Sequence, residues 1–554
     1  MIKKGTRYLA LIAATFILAA VLLFAGRDDF GLGRNMELAV NMMRELSLHY
    51  VDQVEPDKLM AGAAAGMVDD LDPYTEYMSE ADMSNFELMT TGKYGGIGSL
   101  IRKKGDYITI AQPYKGTPAD LAGLKIGDKI VAIDGKEAKG FSIEEVSKRL
   151  KGDPNTIVKL TVERLIGGAR ETFSLKRERI AIPGIPYAGF VADGIGYVQH
   201  SDFTEGCYED MRARIEQLRA QGNLKGLILD YRNNGGGILQ EAVKILSMFV
   251  PKGTEVVVTK GRKDSTVFRT AAEPILPNLP LVVLVNGNTA SAAEIVSGAL
   301  QDLDRAVLIG QKSFGKGLVQ TTRPLGYNAF LKLTTAKYYM PSGRCIQAID
   351  YSLHNPNGAV KEVPDSLIRE FATKGGRKVY DGGGIMPDLK IEPEYISRFA
   401  MTLYALGFIE DFVDEYMKVH HAEPVDNKTF TITEKNYADF VAFMKDKKVP
   451  YESDTRRILT PLKAAAKSDR YKELEQYVEQ IEKQLKDDTQ TNLQTYRTEI
   501  IKTINNDIIL RHNYSQGVIE HNLTDDPEVL RAVELLHTPE ECVRILTSQD
   551  TVRK

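Results

Sequence analysis

Ser291 and Lys316 are the residues whose types and spacing could do chemistry. A serine hydroxyl attacks a carbonyl carbon only when a base takes its proton. A lysine is that base only when burial or neighbouring groups leave it neutral. The stretch Leu281–Gln320 offers a setting for both. Leu281–Val285 is short, apolar and β-branched, bounded by Pro280 and Asn286-Gly287, and predicts a buried strand. Ala290–Asp304 has helical spacing, with Thr289 as its expected N-cap. Ser291 thus falls at a strand–turn–helix junction, where backbone N–H groups can point at a developing negative charge. Ala306–Gly310 predicts a second buried strand, and Ser313–Gly317 a small-residue loop carrying Lys316.

A phosphate-binding loop competes for the same residues. Gly310-Gln311-Lys312-Ser313-Phe314-Gly315-Lys316 fits its first seven positions, but the eighth, which should hold Mg²⁺ through a hydroxyl, is Gly317. The following Leu-Val-Gln-Thr-Thr has strand rather than helix character, so no helix N-terminus would face the phosphates.

Thr-Ala-Ser-Ala-Ala-Glu-Ile followed by Phe-Gly-Lys-Gly-Leu-Val-Gln resembles the C-terminal processing peptidases, or tail-specific proteases. The resemblance implies a Ser–Lys peptidase with Ser291 as nucleophile and Lys316 as general base, 25 residues apart, and Gln320 orienting the lysine. Ala293 departs from the many members that carry a second serine there. The strand Gly226–Arg232 runs into Asn233-Asn234-Gly235-Gly236-Gly237. In the family, a glycine of this turn and the residue after the serine bind the oxyanion, which implies Gly236 or Gly237 with Ala292. Asp230 and Arg232 are expected to tie the strand end, and Lys337 to lie on a strand face. No metal or cofactor is expected.

Around this site the 554 residues call for several cores, with a net charge of −4 and no Trp. No basic block points to nucleic acid. Lys3, Lys4 and Arg7 precede 18 uncharged residues, Tyr8–Ala25, so residues 1–30 read as a signal peptide or membrane anchor. The expectation is an uncleaved anchor in a bacterial inner membrane, with the bulk of the chain exported to the periplasm or cell envelope. Cys207, Cys345 and Cys542 have neither metal nor disulfide spacing, and His200 and His354 are expected to be packing or surface residues.

The expected fold class is multidomain α+β: an α/β protease core with an inserted PDZ-like β domain, N-terminal helices and an all-α C-terminal extension. Residues 31–86 carry two helical patterns, over 35–51 and 57–71, the second broken at Pro73. Residues 87–176 have the strand and helix order of a PDZ domain. Such domains add a peptide to a sheet edge and hold its terminal carboxylate in a nest of N–H groups, by position Gly95-Gly96-Ile97-Gly98. Residues 177–393 form the peptidase core and 394–554 the helical extension, whose charge runs are solvated faces. Expected partners are protein or peptide C-termini as substrate, a second copy of the chain through the N-terminal helices, and a regulatory or adaptor protein on the extension. The leading reading is an exported serine endopeptidase; the rival is a catalytically dormant PDZ adaptor of the cell envelope.

Overall fold

The computed structural model describes residues 31–80, 91–354, 360–362, 364–485 and 488–548. The expected anchor lies outside them, and among the described residues no helix is long and apolar enough to cross a membrane. The chain divides into two compact units.

The first unit takes the N-terminal 83 residues and Gln320–Thr334. It holds helix 31–49, helix Pro56–Val68 and strand Glu76–Met78, which pairs antiparallel with the strand segment Phe330–Lys332. Asp72 explains the stop after the second helix. Its Oδ1 accepts the N–H groups of Tyr74 and Thr75, both at 2.9 Å, which turns the chain before the strand.

In the second unit, a PDZ sheet has strand order Ser99–Lys104, Tyr107–Pro113, Lys129–Ile133, Ile157–Glu163, Arg170–Lys176. Ser99–Lys104 is therefore an edge strand. Asp134-Gly135 makes the tight hairpin, with φ of 50° and 77°, as an Asp-Gly pair favours. Helix Ile143–Leu150 begins with a reciprocal cap: Ser142 Oγ accepts the Glu145 N–H at 3.2 Å, and Glu145 accepts the Ser142 N–H at 2.8 Å. The chain enters and leaves this module on one antiparallel ribbon, Lys93–Gly96 against Glu178–Ala181.

The core is a six-stranded sheet in the order Tyr187–Ala192, Ile195–Gln199, Gly226–Asp230, Leu281–Val285, Val307–Gly310, Leu389–Lys390. The first pair is antiparallel and the rest are parallel. Parallel strands read as unbroken apolar runs because both faces are buried. Here helices Cys207–Ala220, Leu239–Leu246 and Ala292–Asp302 cover one face. The other face is covered by the far end of the chain: helices Pro527–Leu536 and Pro539–Thr547 set Val529, Ala532, Leu535, Leu536 and Cys542 on Ile195, Ile228, Val282, Leu284 and Ile309.

The rest of the extension is all helical around its own core of Phe399, Phe412, Phe440, Ile500, Ile504 and neighbours. The helical spacing over 400–419 and over 454–485 reads as continuous, and each is broken once, at Gly407 (φ 75°) and at Arg470 (φ 63°); helix Arg497–Asn522 kinks at Tyr514 (φ 59°). Apolar spacing carries on across such a turn because the segments on either side pack together, so periodicity alone hides it. Helix Phe408–His420 also grips the PDZ edge strand. Arg102 pairs with Glu410 at 2.9 Å, Lys104 with Asp411 at 2.7 Å and with Asp414, and the Tyr514 hydroxyl donates to Asp120.

Candidate active site

Strand Leu281–Val285 ends in a turn that Thr289 closes. The Thr289 hydroxyl accepts the Asn286 N–H and donates to the Tyr231 carbonyl, both at 2.9 Å. That commitment removes Thr289 from the helix start, where it was expected as the cap; the N-cap position belongs to Ser291. Ser291 has φ 56° and ψ −118°, a backbone conformation that a side-chain-bearing residue adopts only when its surroundings impose it. Strained strand-to-helix turns lift a serine hydroxyl above the sheet in the α/β-hydrolases.

Glu294 imposes this one. It is fully buried, and among the described residues its four donors are three N–H groups and a hydroxyl, none of them charged. Oε2 accepts from the N–H of Ser291 (2.8 Å) and of Lys316 (2.9 Å). Oε1 accepts from Ser313 Oγ (2.5 Å) and Gly315 N–H (2.7 Å). One carboxylate oxygen thus joins the backbones of Ser291 and Lys316. Burial pushes Glu294 up to about 7, against the Ser313, Lys316, Gly315 and Ser291 hydrogen bonds that hold it down. Lys316 is half-buried on an irregular loop, and the chain then enters strand Leu318–Gly326. A phosphate-binding loop would open a helix there.

The glycine turn lies against the serine. A Cβ on Gly236 would sit 2.7 Å from Ser291 Cβ and 2.8 Å from the Ala292 nitrogen. The two glycines expected to compete for an oxyanion separate clearly. The Gly236 N–H donates to Asn234 Oδ1 at 2.8 Å, and Asn234 is itself held by the His200 carbonyl at 2.7 Å. Gly236 is therefore a close-approach residue with its amide engaged. The N–H groups of Gly237 and Ala292 have no hydrogen-bond acceptor among the described residues. Gly236→Ala should lower activity by two orders of magnitude or so while the chain still folds, because the Cβ would drive the turn off the serine; a hydrolysis assay at matched thermal midpoint checks this.

Gln320 belongs to the first unit, where its amide donates to Thr334 Oγ1 at 3.2 Å and Thr334 donates to Asp72 at 3.0 Å. In the PDZ module Gly95 and Gly96, expected in the carboxylate-binding nest, end the ribbon strand Lys93–Gly96 opposite Arg179 and Glu178, and only Ile97-Gly98 are left as a loop. The Ile97 carbonyl accepts the Ala119 N–H, and the Gly98 carbonyl accepts the Tyr114 N–H, each at 2.9 Å, as well as the Thr117 hydroxyl. The N–H groups of Ile97 and Gly98 meet no acceptor among the described residues. Arg177 caps the neighbouring helix through the carbonyls of Arg149 (2.7 Å) and Leu150 (3.2 Å).

His200 is fully buried with its ring tilted against Phe203, and burial pushes its imidazole down to about 3, as expected of a packing residue. Asp230 and Arg232 do tie the strand end, and Arg232 reaches on to Asp526 and Glu528 beneath the C-terminal helices. The three cysteines are free thiols. Sequence reasoning missed two residues. Glu294 served only as a landmark in the motif, although a Glu three positions past a helix cap is a capping signal. Tyr338, whose hydroxyl reaches the carbonyls of both Ser291 (3.2 Å) and Lys316, carries no local signal at all.

Residues 194–353 match peptidase family S41, 109–164 a PDZ domain, 399–536 the C-terminal helical domain of probable PDZ-proteases, and 34–82 the N-terminal domain of the activating protease CtpB. A peptidase that carries a PDZ module is the class these features define. The carboxy-terminal-processing protease of Bartonella bacilliformis is 38% identical over 316 residues, covering 56% of this chain and 72% of that protein. A probable CtpA-like serine protease of Staphylococcus aureus (strain COL) is 33% identical over 355 residues, 62% of this chain and 71% of its own length. Among solved structures, the photosystem II D1 C-terminal processing protease is 27% identical, with a TM-score of 0.36 over 64% of this chain and 87% of its own. The chain belongs to the carboxy-terminal-processing proteases of peptidase family S41.

Proposed function

We propose that this peptidase is an exported serine endopeptidase that takes proteins by their C-terminal tails and cleaves them with Ser291 and Lys316. The observation that carries the reading is the shared Glu294 oxygen, which joins the backbones of a strained serine and a half-buried lysine beside a glycine turn. Neutral Lys316 takes the Ser291 hydroxyl proton as Oγ attacks the substrate carbonyl, and returns it to the leaving amine. Water then hydrolyses the acyl-serine by the same route in reverse. The N–H groups of Gly237 and Ala292 stabilise the oxyanion, and Gln320, four residues past Lys316, orients the lysine. The free amides of Ile97 and Gly98 receive the tail's carboxylate, while strand Ser99–Lys104 offers its edge to the peptide.

Export and anchoring through residues 8–25, and pairing of two copies through helix 31–49, belong to the same reading. Leu32, Met36, Leu38, Val40, Met42 and Leu48 leave that helix with exposed apolar side chains. The test compares one unstructured peptide with a free and with an amidated C-terminus. A carboxylate-reading loop requires KM to rise about tenfold or more on amidation, since a charge-assisted hydrogen bond is lost. Equal KM for the two peptides sinks tail recognition.

A further inference from the structure

Two buried side chains outside the Ser–Lys pair each touch the backbone of both its members. Glu294 accepts the N–H of Ser291 and of Lys316. Tyr338, near the end of strand Ala329–Tyr339, closes the opposite side: its hydroxyl is hydrogen-bonded to the Lys316 carbonyl and lies 3.2 Å from the Ser291 carbonyl. A phenol has one proton, so it donates to one carbonyl at a time, and Lys316 is the nearer. Ser291 starts a helix and Lys316 sits on a loop, 25 residues later. No element shared by the two fixes their separation. The amide side is fixed by Glu294 and the carbonyl side by Tyr338.

We infer that Glu294 and Tyr338 are positioning residues, a two-sided clamp that sets the approach of Ser291 to Lys316 for proton transfer. The inference rests on the Ser–Lys reading. Proton transfer needs donor and acceptor within hydrogen-bond reach, and a displacement of about 1 Å costs on the order of a hundredfold in rate. Both clamp residues are almost wholly buried, at 0% and 1% exposure, so neither is a solvent-facing cap. Ser313 stiffens the device: its hydroxyl donates to Glu294 and accepts the Ile385 N–H at 2.7 Å.

The clamp is complete only while Glu294 is ionised. A carboxylate accepts all four donors; a protonated carboxyl becomes a donor at one oxygen and forfeits an acceptor site. Burial raises Glu294 to about 7, so the clamp loosens as pH falls through neutrality. Stability runs the other way. The folded state holds the proton to higher pH than the unfolded chain does, so this group's contribution declines as pH rises from about 4.5 to about 7. Among the described residues the groups that face Glu294 are uncharged, three N–H groups and the Ser313 hydroxyl, and Asp302 on its own helix is committed to Arg344 at 2.7 Å.

The test uses the full chain and Tyr338→Phe, which removes one hydroxyl, and Glu294→Gln, which puts a donor where an acceptor stood. Two rates are followed between about pH 5 and 9: phosphonylation of Ser291 by a fluorophosphonate probe, and kcat and KM on an unstructured peptide. Each variant should lose at least about tenfold in labelling rate and kcat, with KM within about threefold. Glu294→Gln should also lose the limb near pH 7 and keep that of the lysine. Labelling and pH profiles like those of the wild type in both variants overturn the clamp. So does a loss that is equal at every pH and tracks a lowered thermal midpoint, which marks a merely structural role. The Ser–Lys reading fails separately, if wild-type Ser291 is not labelled or if Lys316→Ala labels as fast as wild type.

Discussion

Ser291→Ala and Lys316→Ala should each abolish cleavage of an unfolded protein, measured with EDTA present and without ATP. Removing the nucleophile or base of such a set in serine hydrolases costs roughly 10⁴- to 10⁶-fold in kcat. Neither loss should come from unfolding. Ser291 and Lys316 are both half-buried, and a change confined to such side-chain atoms is worth about 1 kcal/mol or less in most proteins. Lys316→Arg is the sharper variant. A guanidinium keeps the charge and the donors but does not deprotonate in a protein, so it cannot accept the serine proton. It should be as dead as Lys316→Ala. An active Lys316→Arg would mean that Lys316 serves as a fixed cation and that another group is the base.

A chain stopped after Asp526 should lose its folded core. Helices Pro527–Leu536 and Pro539–Thr547 cover the sheet face made by Ile195, Ile228, Val282, Leu284 and Ile309. Fully burying one Val or Leu side chain is worth about 1.5–3 kcal/mol. Val529, Leu535 and Leu536 with the strand residues beneath them therefore carry on the order of 10 kcal/mol, the scale of a whole domain's stability. Arg232 would also lose Glu528 from its partners. The milder Leu535→Ala should cost about 2–5 kcal/mol. Circular dichroism and limited proteolysis of the sheet region report both. A truncated chain that melts at the full-length midpoint would show the core to be self-sufficient without this cover.

The meeting of Ser291 and Lys316, which share one Glu294 oxygen, was more legible than the scaffold around it, and for a physical reason. Ser291 and Lys316 lie in short motifs where residue type and spacing are themselves the constraint. The central strands were legible because a strand buried on both faces has to be apolar throughout. The identity of what buries the second face was not, since an amphipathic helix at 527–536 presents the same pattern whatever it covers. Tyr338 was read only as part of an alternating strand, because a contact made 47 residues away along the chain leaves no trace in local spacing. Thr289 and Ser291 are equally good caps by residue type; the choice was made by the Tyr231 carbonyl, which claims the threonine. Gly236 and Gly237 were indistinguishable until Asn234 engaged one of their amides.

The ribbon that carries the chain into and out of the PDZ module makes that module a cassette. Lys93 pairs with Ala181 and Gly96 with Glu178, so the two ends of the inserted segment lie side by side, about 5 Å apart. A core that receives an insertion through adjacent ends need not alter its own strands to accept another. Peptide preference could thus be exchanged by grafting a different module between residues 92 and 182, leaving the catalytic sheet as it stands. The graft would have to bring counterparts of Arg102, Lys104 and Asp120, because those side chains are how the present module is berthed on the helices. The unit of inheritance is therefore the domain together with its mooring, and a new specificity that lacked the mooring would arrive untethered from the helical extension.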